Sequence, residues 1–372
     1  MTDKKICTRC IIDISVPDIE FDERGVCNYC KAYEERAKKE LLDPITKKAK
    51  LNKILSRIKE DGKEKEYDCI IGVSGGVDST YTAFLTKEFG LRPLAVHLDN
   101  GWNSELSVYN IEKTLNVLGI DLNTHVIDWE EFKNLQLSFL KSSITNIEIP
   151  TDHAITAILY KQAAEENINY IISGNNIVTE SIQPSYWGEY NKDLKLLESI
   201  HKKFGTIDLK TFPKISLKRF AYYILIKHIK HISLLDLVDY NKNQAKKILQ
   251  DKLCWIDYGG KHYESIFTRF FQGYILIKKY NVDKRLGHLS TLIMSGQITR
   301  EEALEEMKLP VYPEDLFLED KEFVLNKFGL SEEEFEDIMS LPIKSDKDYP
   351  SNTWIFENLS FFINAVKKFS KS

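Results

Sequence analysis

The 372-residue chain contains no apolar run long enough to span a bilayer. The stretch that comes nearest, Phe220 to Leu237, is broken by Lys227, His228, Lys230 and His231. No secretory signal opens the chain, because Met1-Thr2-Asp3-Lys4-Lys5 turns straight to cysteines. A cytoplasmic protein without a membrane partner is therefore expected. Positive charge is not in surplus either. The net charge of −5 gives no global pull toward nucleic acid, which is not an expected partner. Internal repeats and low-complexity tails are absent. Cysteine is scarce, and four of the six stand in two Cys-x-x-Cys pairs near the N-terminus. That clustering excludes a disulfide framework and favours metal binding in a reducing compartment.

What remains is a globular composition, long enough for a sizeable core. Three regions are expected. Residues 1–45 hold the cysteine pairs. In residues 46–215, Leu51, Ile54, Leu55 and Ile58 recur at helical spacing, and strands then alternate with helices. Strands are expected at Tyr67–Val73, Pro93–Leu98, Thr124–Ile127 and Asn169–Ser173. Helices are expected at Ser79–Phe89, Ser104–Leu118 and Asp152–Glu166. The fold class is α/β, a parallel sheet with helices on both faces, whose ligands lie at the carboxyl ends of the strands. Residues 216–372 read as mainly helical, with capping boxes at Thr299–Glu302 and Ser331–Glu334.

The first expected strand runs into Ser74-Gly75-Gly76-Val77-Asp78-Ser79 and then a helix. Gly75 and Gly76 let the backbone turn sharply and approach a phosphate. Successive N–H groups at a helix N-terminus then form an anion nest, to which Ser74 and Ser79 add hydroxyls. Asp78 suits Mg²⁺ or the orientation of the loop. The Gly-Lys-Ser/Thr ending of a Walker A loop is missing. The string instead resembles the PP-loop of the N-type ATP pyrophosphatases, which implies ATP cleavage to AMP and pyrophosphate on an adenine nucleotide alpha hydrolase-like fold. The same resemblance places His97 and Asp99 near the adenine, and Gly174 facing the nucleotide. Glu180 lies just beyond and is a further candidate for the metal.

Cys7-x2-Cys10 and Cys27-x2-Cys30 have the spacing of a four-thiolate zinc site. With all four positions filled, such a site is structural. An iron–sulfur cluster is the alternative.

Over nearly its whole length the chain then resembles the N-acetyl sugar amidotransferases of lipopolysaccharide and flagellar sugar biosynthesis. The resemblance rests on the cysteine pairs with Val16-Pro17-Asp18 and Asn28-Tyr29, on the Ser74–Ser79 loop, on Asp99-Asn100-Gly101-Trp102-Asn103, and on Thr151-Asp152-His153-Ala154-Ile155. Its most specific part is Gly260-Lys261-His262-Tyr263-Glu264-Ser265, continuing through Phe267–Gln272, Asp283-Lys284-Arg285 and His288-Leu289-Ser290. It implies that an acetamido group on a sugar or nucleotide-sugar becomes an acetamidino group. The amide oxygen is adenylated to an imidate, and ammonia displaces AMP. Lys261, Arg269, Lys284 and Arg285 are the cationic candidates, and His153 and His262 the proton-handling ones. Thr2 follows Met1, so a built-in N-terminal cysteine nucleophile is not expected. Cys69 and Cys254 read as packing. A separate glutaminase is the implied ammonia source. A tRNA-thiolating PP-loop enzyme and a non-catalytic nucleotide-binding assembly subunit are the rival readings.

Overall fold

The structure, a computed structural model, describes residues 5–187, 193–260 and 263–354. Its centre is a five-stranded parallel sheet of β1 (Cys69–Gly72), β2 (Pro93–Asp99), β3 (Asp121–Val126), β4 (Tyr170–Ser173) and β5 (Lys230–Ser233). The strand order is β3-β2-β1-β4-β5. From β1 the chain winds one way to β2 and β3, then crosses back to β4 and β5. The switch point therefore lies between β1 and β4, where α/β sheets bind ligands at their carboxyl edge.

Alternation along the strands assigns the two faces. Ile70, Leu94, Val96 and Ile171 enter one core, beneath α5 (Trp129–Ser142) and α6 (Ile149–Glu165). Cys69, Ile71, Ala95, Tyr170 and Ile172 enter the other. That second core is roofed by α3 (Val77–Glu88) and α4 (Glu105–Leu118). Before the sheet come α1 (Asn28–Glu40) and α2 (Pro44–Gly62). Helix α2 starts where the Asp43 carboxylate caps Ile45 and Thr46, and it buries Leu51 and Ile58 on the expected face.

Three expectations change. Strand β3 begins at Asp121, three residues early, and α5 falls in a stretch to which no element was assigned. The fifth strand lies beyond the expected boundary at 215. The stretch Phe220 to Leu237 holds that strand, the end of a helix (Leu217–Leu225) and a 3₁₀ turn (Leu234–Leu237). No helix among the described residues is long and apolar enough to cross a membrane. Both capping boxes form, at Thr299 and Ser331.

A buried carboxylate ties α5 to the following chain. Glu131 accepts N–H bonds from Lys210 (2.9 Å), Thr211 (2.9 Å) and Phe212 (2.8 Å). Burial pushes its carboxyl up, but the N–H groups of Thr211, Phe212 and Lys210 outweigh this and hold it below its ordinary value. Hydrogen bonds to a charged acceptor contribute about 1.5–3 kcal/mol each. Glu131→Gln keeps one acceptor oxygen and turns an amide toward N–H groups, so a loss of about 3 kcal/mol in urea unfolding at pH 7 is expected. Because the folded carboxyl titrates below the unfolded value of 4.5, its contribution is present above that pH. It is lost as pH falls through the folded value, so the gap between wild type and variant should close in acid.

Candidate active site and metal centre

The loop from Ser74 to Ser79 sits at the switch point. Gly75 has φ +80°, and a Cβ there would lie 2.7 Å from the Tyr258 hydroxyl and 2.9 Å from the Ser107 carbonyl. The Gly75 carbonyl accepts from the Trp255 indole N–H (2.8 Å) and the Tyr258 hydroxyl (3.0 Å). Two aromatic donors about 180 positions downstream thus fix how the loop turns. The Ser74 and Ser79 hydroxyls are 3.2 Å apart, and Ser79 Oγ donates to the Gly76 carbonyl at 3.1 Å. Gly76 is the N-cap of α3 and supplies no side-chain cap. The first-turn N–H groups of α3 therefore present a positive dipole end. Val77, the first residue of α3, packs on the core beneath it.

Asp78 accepts a short hydrogen bond from the Tyr240 hydroxyl at Oδ1. Burial, followed by the Asp78 carboxylate, pushes the Tyr240 phenol far up, so the phenol stays protonated and donates. Gly174, just after β4, passes directly against the loop. A Cβ on it would lie 2.7 Å from the Asp78 carbonyl carbon and oxygen and 3.0 Å from the Ser79 nitrogen. Only glycine permits that approach. On the far side of the loop, Glu264 Oε1 comes within 3.1 Å of where a Gly76 Cβ would stand. Its carbonyl accepts from the Ser104 N–H at 2.9 Å. The loop thus gathers anion-binding N–H groups and hydroxyls beside the carboxylates of Asp78 and Glu264, a set that suits a phosphate chain with its cation.

His97 stands beside the loop with both ring nitrogens engaged. Nδ1 donates to the Val73 carbonyl at 2.8 Å and Nε2 accepts from the Asn103 amide at 2.9 Å. These bonds tie β2 to the root of the loop. Asp99 closes a turn, accepting from the Gly101 N–H at 2.9 Å. Next to it Trp102 is wholly buried, stacked on Phe267 at 5.1 Å, and donates from Nε1 to Gln136 at 2.6 Å. The Lys327 ammonium caps the same turn through the Gly101 carbonyl and lies over the Trp102 and Trp129 rings. Helix Glu314–Phe328 is thereby latched to the carboxyl end of β2.

The other expected residues go elsewhere. His153 is wholly buried in α6, where Nε2 accepts from the Ile215 N–H at 3.1 Å. Arg285 forms a fork with Asp283 (2.8 Å) and donates to the Leu309 carbonyl at 2.9 Å. Arg269 pairs with Asp320 through two bonds of 2.6 and 2.8 Å. These partnerships hold the C-terminal helices together. Lys261 and His262 lie outside the described residues. Cys69 is buried in β1 as expected, whereas Cys254 is exposed, the left-handed cap of helix Lys242–Leu253. Sequence reasoning gave no role to Tyr240, Trp255, Tyr258 or Glu264. The run Trp255 to Glu264, dense in aromatics and glycine, was the available signal.

Cys7, Cys10, Cys27 and Cys30 are wholly buried, and their sulfurs all lie within 4.8 Å of one another. Cys7 and Cys30 are 3.9 Å apart, Cys10 and Cys27 3.7 Å. Zn–S bonds of about 2.3 Å in a tetrahedron put sulfurs about 3.8 Å apart, so the cluster fits one metal ion. Arg300 reaches into the module, donating to the Cys10 carbonyl (3.0 Å) and the Cys7 carbonyl (3.1 Å). Ile11, Ile12 and Val16 share a core with Leu286, Leu289 and Ala303. The cysteine module is therefore packed against helices Arg285–Met294 and Arg300–Lys308.

Known proteins share parts of this arrangement. Residues 264–360 match the family described as LPS biosynthesis protein WbpG-like, C-terminal domain. The uncharacterized protein MJ1599 of Methanocaldococcus jannaschii is 23% identical over 283 residues, 73% of this chain and 83% of that protein. The NH3-dependent NAD synthetase of Campylobacter jejuni is 15% identical with a TM-score of 0.33, covering 73% of this chain and all of that one. The U34-tRNA thiolase NcsA of Methanococcus maripaludis, solved with its [4Fe-4S] cluster, is 18% identical with a TM-score of 0.27. The match covers 66% of this chain and 82% of that one. Likenesses at these scores carry no chemistry across. The segment that matches the WbpG-like C-terminal domain begins at Glu264, beside the phosphate loop, and includes the helices that hold the cysteine module.

Proposed function

We propose that the chain is an ATP-dependent amidotransferase that converts an acetamido group of a sugar or nucleotide-sugar to an acetamidino group. One observation carries this reading. The WbpG-like domain, matched to lipopolysaccharide biosynthesis, begins at Glu264, whose carboxylate lies against Gly76 of the Ser74–Ser79 loop. A sugar-processing domain thus meets a loop built for phosphates.

The loop, with Ser74, Ser79 and the Gly174 edge, is the part that would hold the phosphates of ATP, and Asp78, which accepts from Tyr240, is the carboxylate that would hold Mg²⁺ to neutralise them. The amide oxygen attacks the α-phosphorus and pyrophosphate leaves. Ammonia adds to the imidate carbon, and AMP departs with the former amide oxygen, leaving the amidine. Charge builds on the α-phosphate and the leaving pyrophosphate, where N–H groups at a helix start and a cation have the largest effect. Lys261 and Arg285 belong to the region proposed to receive the anionic sugar. Arg285 already lies within electrostatic range of Tyr263, one residue from Glu264. A separate glutaminase is proposed as the ammonia source.

Sulfur transfer to tRNA asks for a reactive cysteine. Burial pushes the Cys69 thiol well up, away from the thiolate form, which leaves the exposed Cys254 as the candidate outside the four-cysteine cluster. The sulfur spacing of the four-cysteine cluster suits four thiolates on a single ion, which supports zinc, whereas an iron–sulfur cluster spreads them over two or more irons.

Incubating the chain with MgATP, ammonium and a panel of acetamido nucleotide-sugars tests the reaction. AMP and pyrophosphate should appear with a product in which O is replaced by NH. Asp78→Ala should lower pyrophosphate release about 100-fold. Full activity in that variant, or no pyrophosphate with any acetamido sugar, would sink the proposal.

A further inference from the structure

A second basic site lies away from the loop, along the outer face of α6. There the chain from Thr211 to Lys227 borders a cavity of about 500 Å³, within the size range of small-molecule sites. Lys161, Lys214, Arg219 and Lys227 line it, against one carboxylate, Glu165. Four cations less one anion leave a local charge of +3 in a chain whose total is −5. Lys161 and Glu165 stand 3.8 Å apart, whereas neither Arg219 nor Lys227 is paired with a carboxylate among the described residues. His125, at one end, has its imidazole held toward the neutral form by burial and then by Lys161, which reports the same positive field.

The cavity also has flat faces. Tyr222 and Tyr223 line it, and the Arg219 guanidinium lies 5.5 and 5.0 Å from their ring centroids. Arg219 Nε donates to the Tyr223 hydroxyl at 3.0 Å, which orients the guanidinium. One wall is built in advance, because Glu131 pins the backbone of Lys210, Thr211 and Phe212. A preorganised wall lowers the ordering cost of binding.

We propose that this cavity binds a nucleotide-sized ligand carrying two or more phosphate charges and a flat ring, such as a nucleoside diphosphate, free or as the activated half of a sugar. The cations meet the phosphates, and Tyr222, exposed where Tyr223 is buried, offers the ring a stacking surface. A volume of about 500 Å³ suits a small molecule better than a strand of nucleic acid, which needs a track that continues. The inference stands independently of the proposed reaction.

Calorimetric titration with UDP, UDP-N-acetylglucosamine and inorganic pyrophosphate tests it. Both nucleotides should bind more tightly than pyrophosphate. Arg219→Ala combined with Lys227→Ala should weaken them at least thirtyfold, and Tyr222→Ala should remove the advantage over pyrophosphate. Asp78→Asn, at the loop, should leave UDP affinity unchanged. UDP and UDP-N-acetylglucosamine binding alike assigns the free nucleotide, and tighter binding of the second assigns the activated sugar. The proposal is overturned if UDP binding is insensitive to the groove variants, if it is lost in Asp78→Asn, or if the groove variants impair only a single-stranded oligonucleotide. Circular dichroism of each variant, and the milder Lys227→Gln alone, guard against loss of fold.

Discussion

Gly174→Ala is expected to lower pyrophosphate release about 100-fold while costing only about 1–3 kcal/mol of stability. The new methyl would stand 2.7 Å from the Asp78 carbonyl carbon and oxygen and 3.0 Å from the Ser79 nitrogen. Both contacts are to backbone, so no side chain can rotate away. Either β4 withdraws or the loop does. Strand β4 is held between β1 and β5 by parallel ladders, whereas Asp78 and Ser79 lie in a half-exposed first turn of α3, so the loop end moves. A displacement approaching 1 Å in a group that positions a reacting phosphate costs about 100-fold. Initial rates of pyrophosphate release, set beside urea unfolding, separate the two effects. Gly119→Ala serves as the control for backbone destabilisation alone, since φ there is +59° but a Cβ meets nothing within 4 Å. Wild-type rates in Gly174→Ala would remove the loop from the chemistry.

The second large effect is expected at the cysteine cluster. Metal should be present at one ion per chain. Withdrawing it with a chelator, or making Cys27→Ser, should melt the module and lower the thermal midpoint by about 10 °C or more. Structural zinc supplies apparent binding energies of about 10–16 kcal/mol in small modules with little core of their own. The module shares its apolar contacts with Leu286, Leu289 and Ala303, so those residues should become exposed together with Ile11 and Ile12. A hydrophobic dye and differential scanning calorimetry read both. The activity of a gently chelated sample should follow the melting curve, as befits a structural ion. Iron with acid-labile sulfide in place of zinc would overturn the zinc assignment, and an unchanged midpoint would overturn the structural role.

The phosphate loop was legible because its chemistry is local. A strand, two glycines and two serines stand within a few positions, and no distant residue is needed to see an anion nest. The cysteine pairs were legible for the same reason. What fixes the loop was not legible. Tyr240 reaches Asp78 across 162 positions, and Trp255 reaches Gly75 across 180. No periodicity connects residues so far apart. The start of edge strand β3 escaped for a different reason. Asp121, Leu122, Asn123 and Thr124 in β3 are all exposed, so they show no apolar alternation. Helix α5 had a signal, the Asp128 cap followed by Phe132, Leu135 and Phe139 at helical spacing, and was simply not taken up. His153 and Arg285, singled out by residue type, also have partners that no sequence spacing announces, Ile215 and Asp283.

The clasp of Arg300 on the carbonyls of Cys7 and Cys10 has a bearing on biogenesis. Its two sides are 293 and 290 residues apart in the chain. At about 5–20 residues per second, a ribosome separates their emergence by about 15–60 s. During that interval the cysteines are outside the tunnel without Leu286, Leu289 or Arg300 to cover them. Early capture of the ion would keep the thiols from oxidation and leave a small folded knot waiting for its lid. Translation in metal-depleted cells should therefore yield chains that are complete in length yet prone to mispaired thiols, with the damage set before the last helices are made.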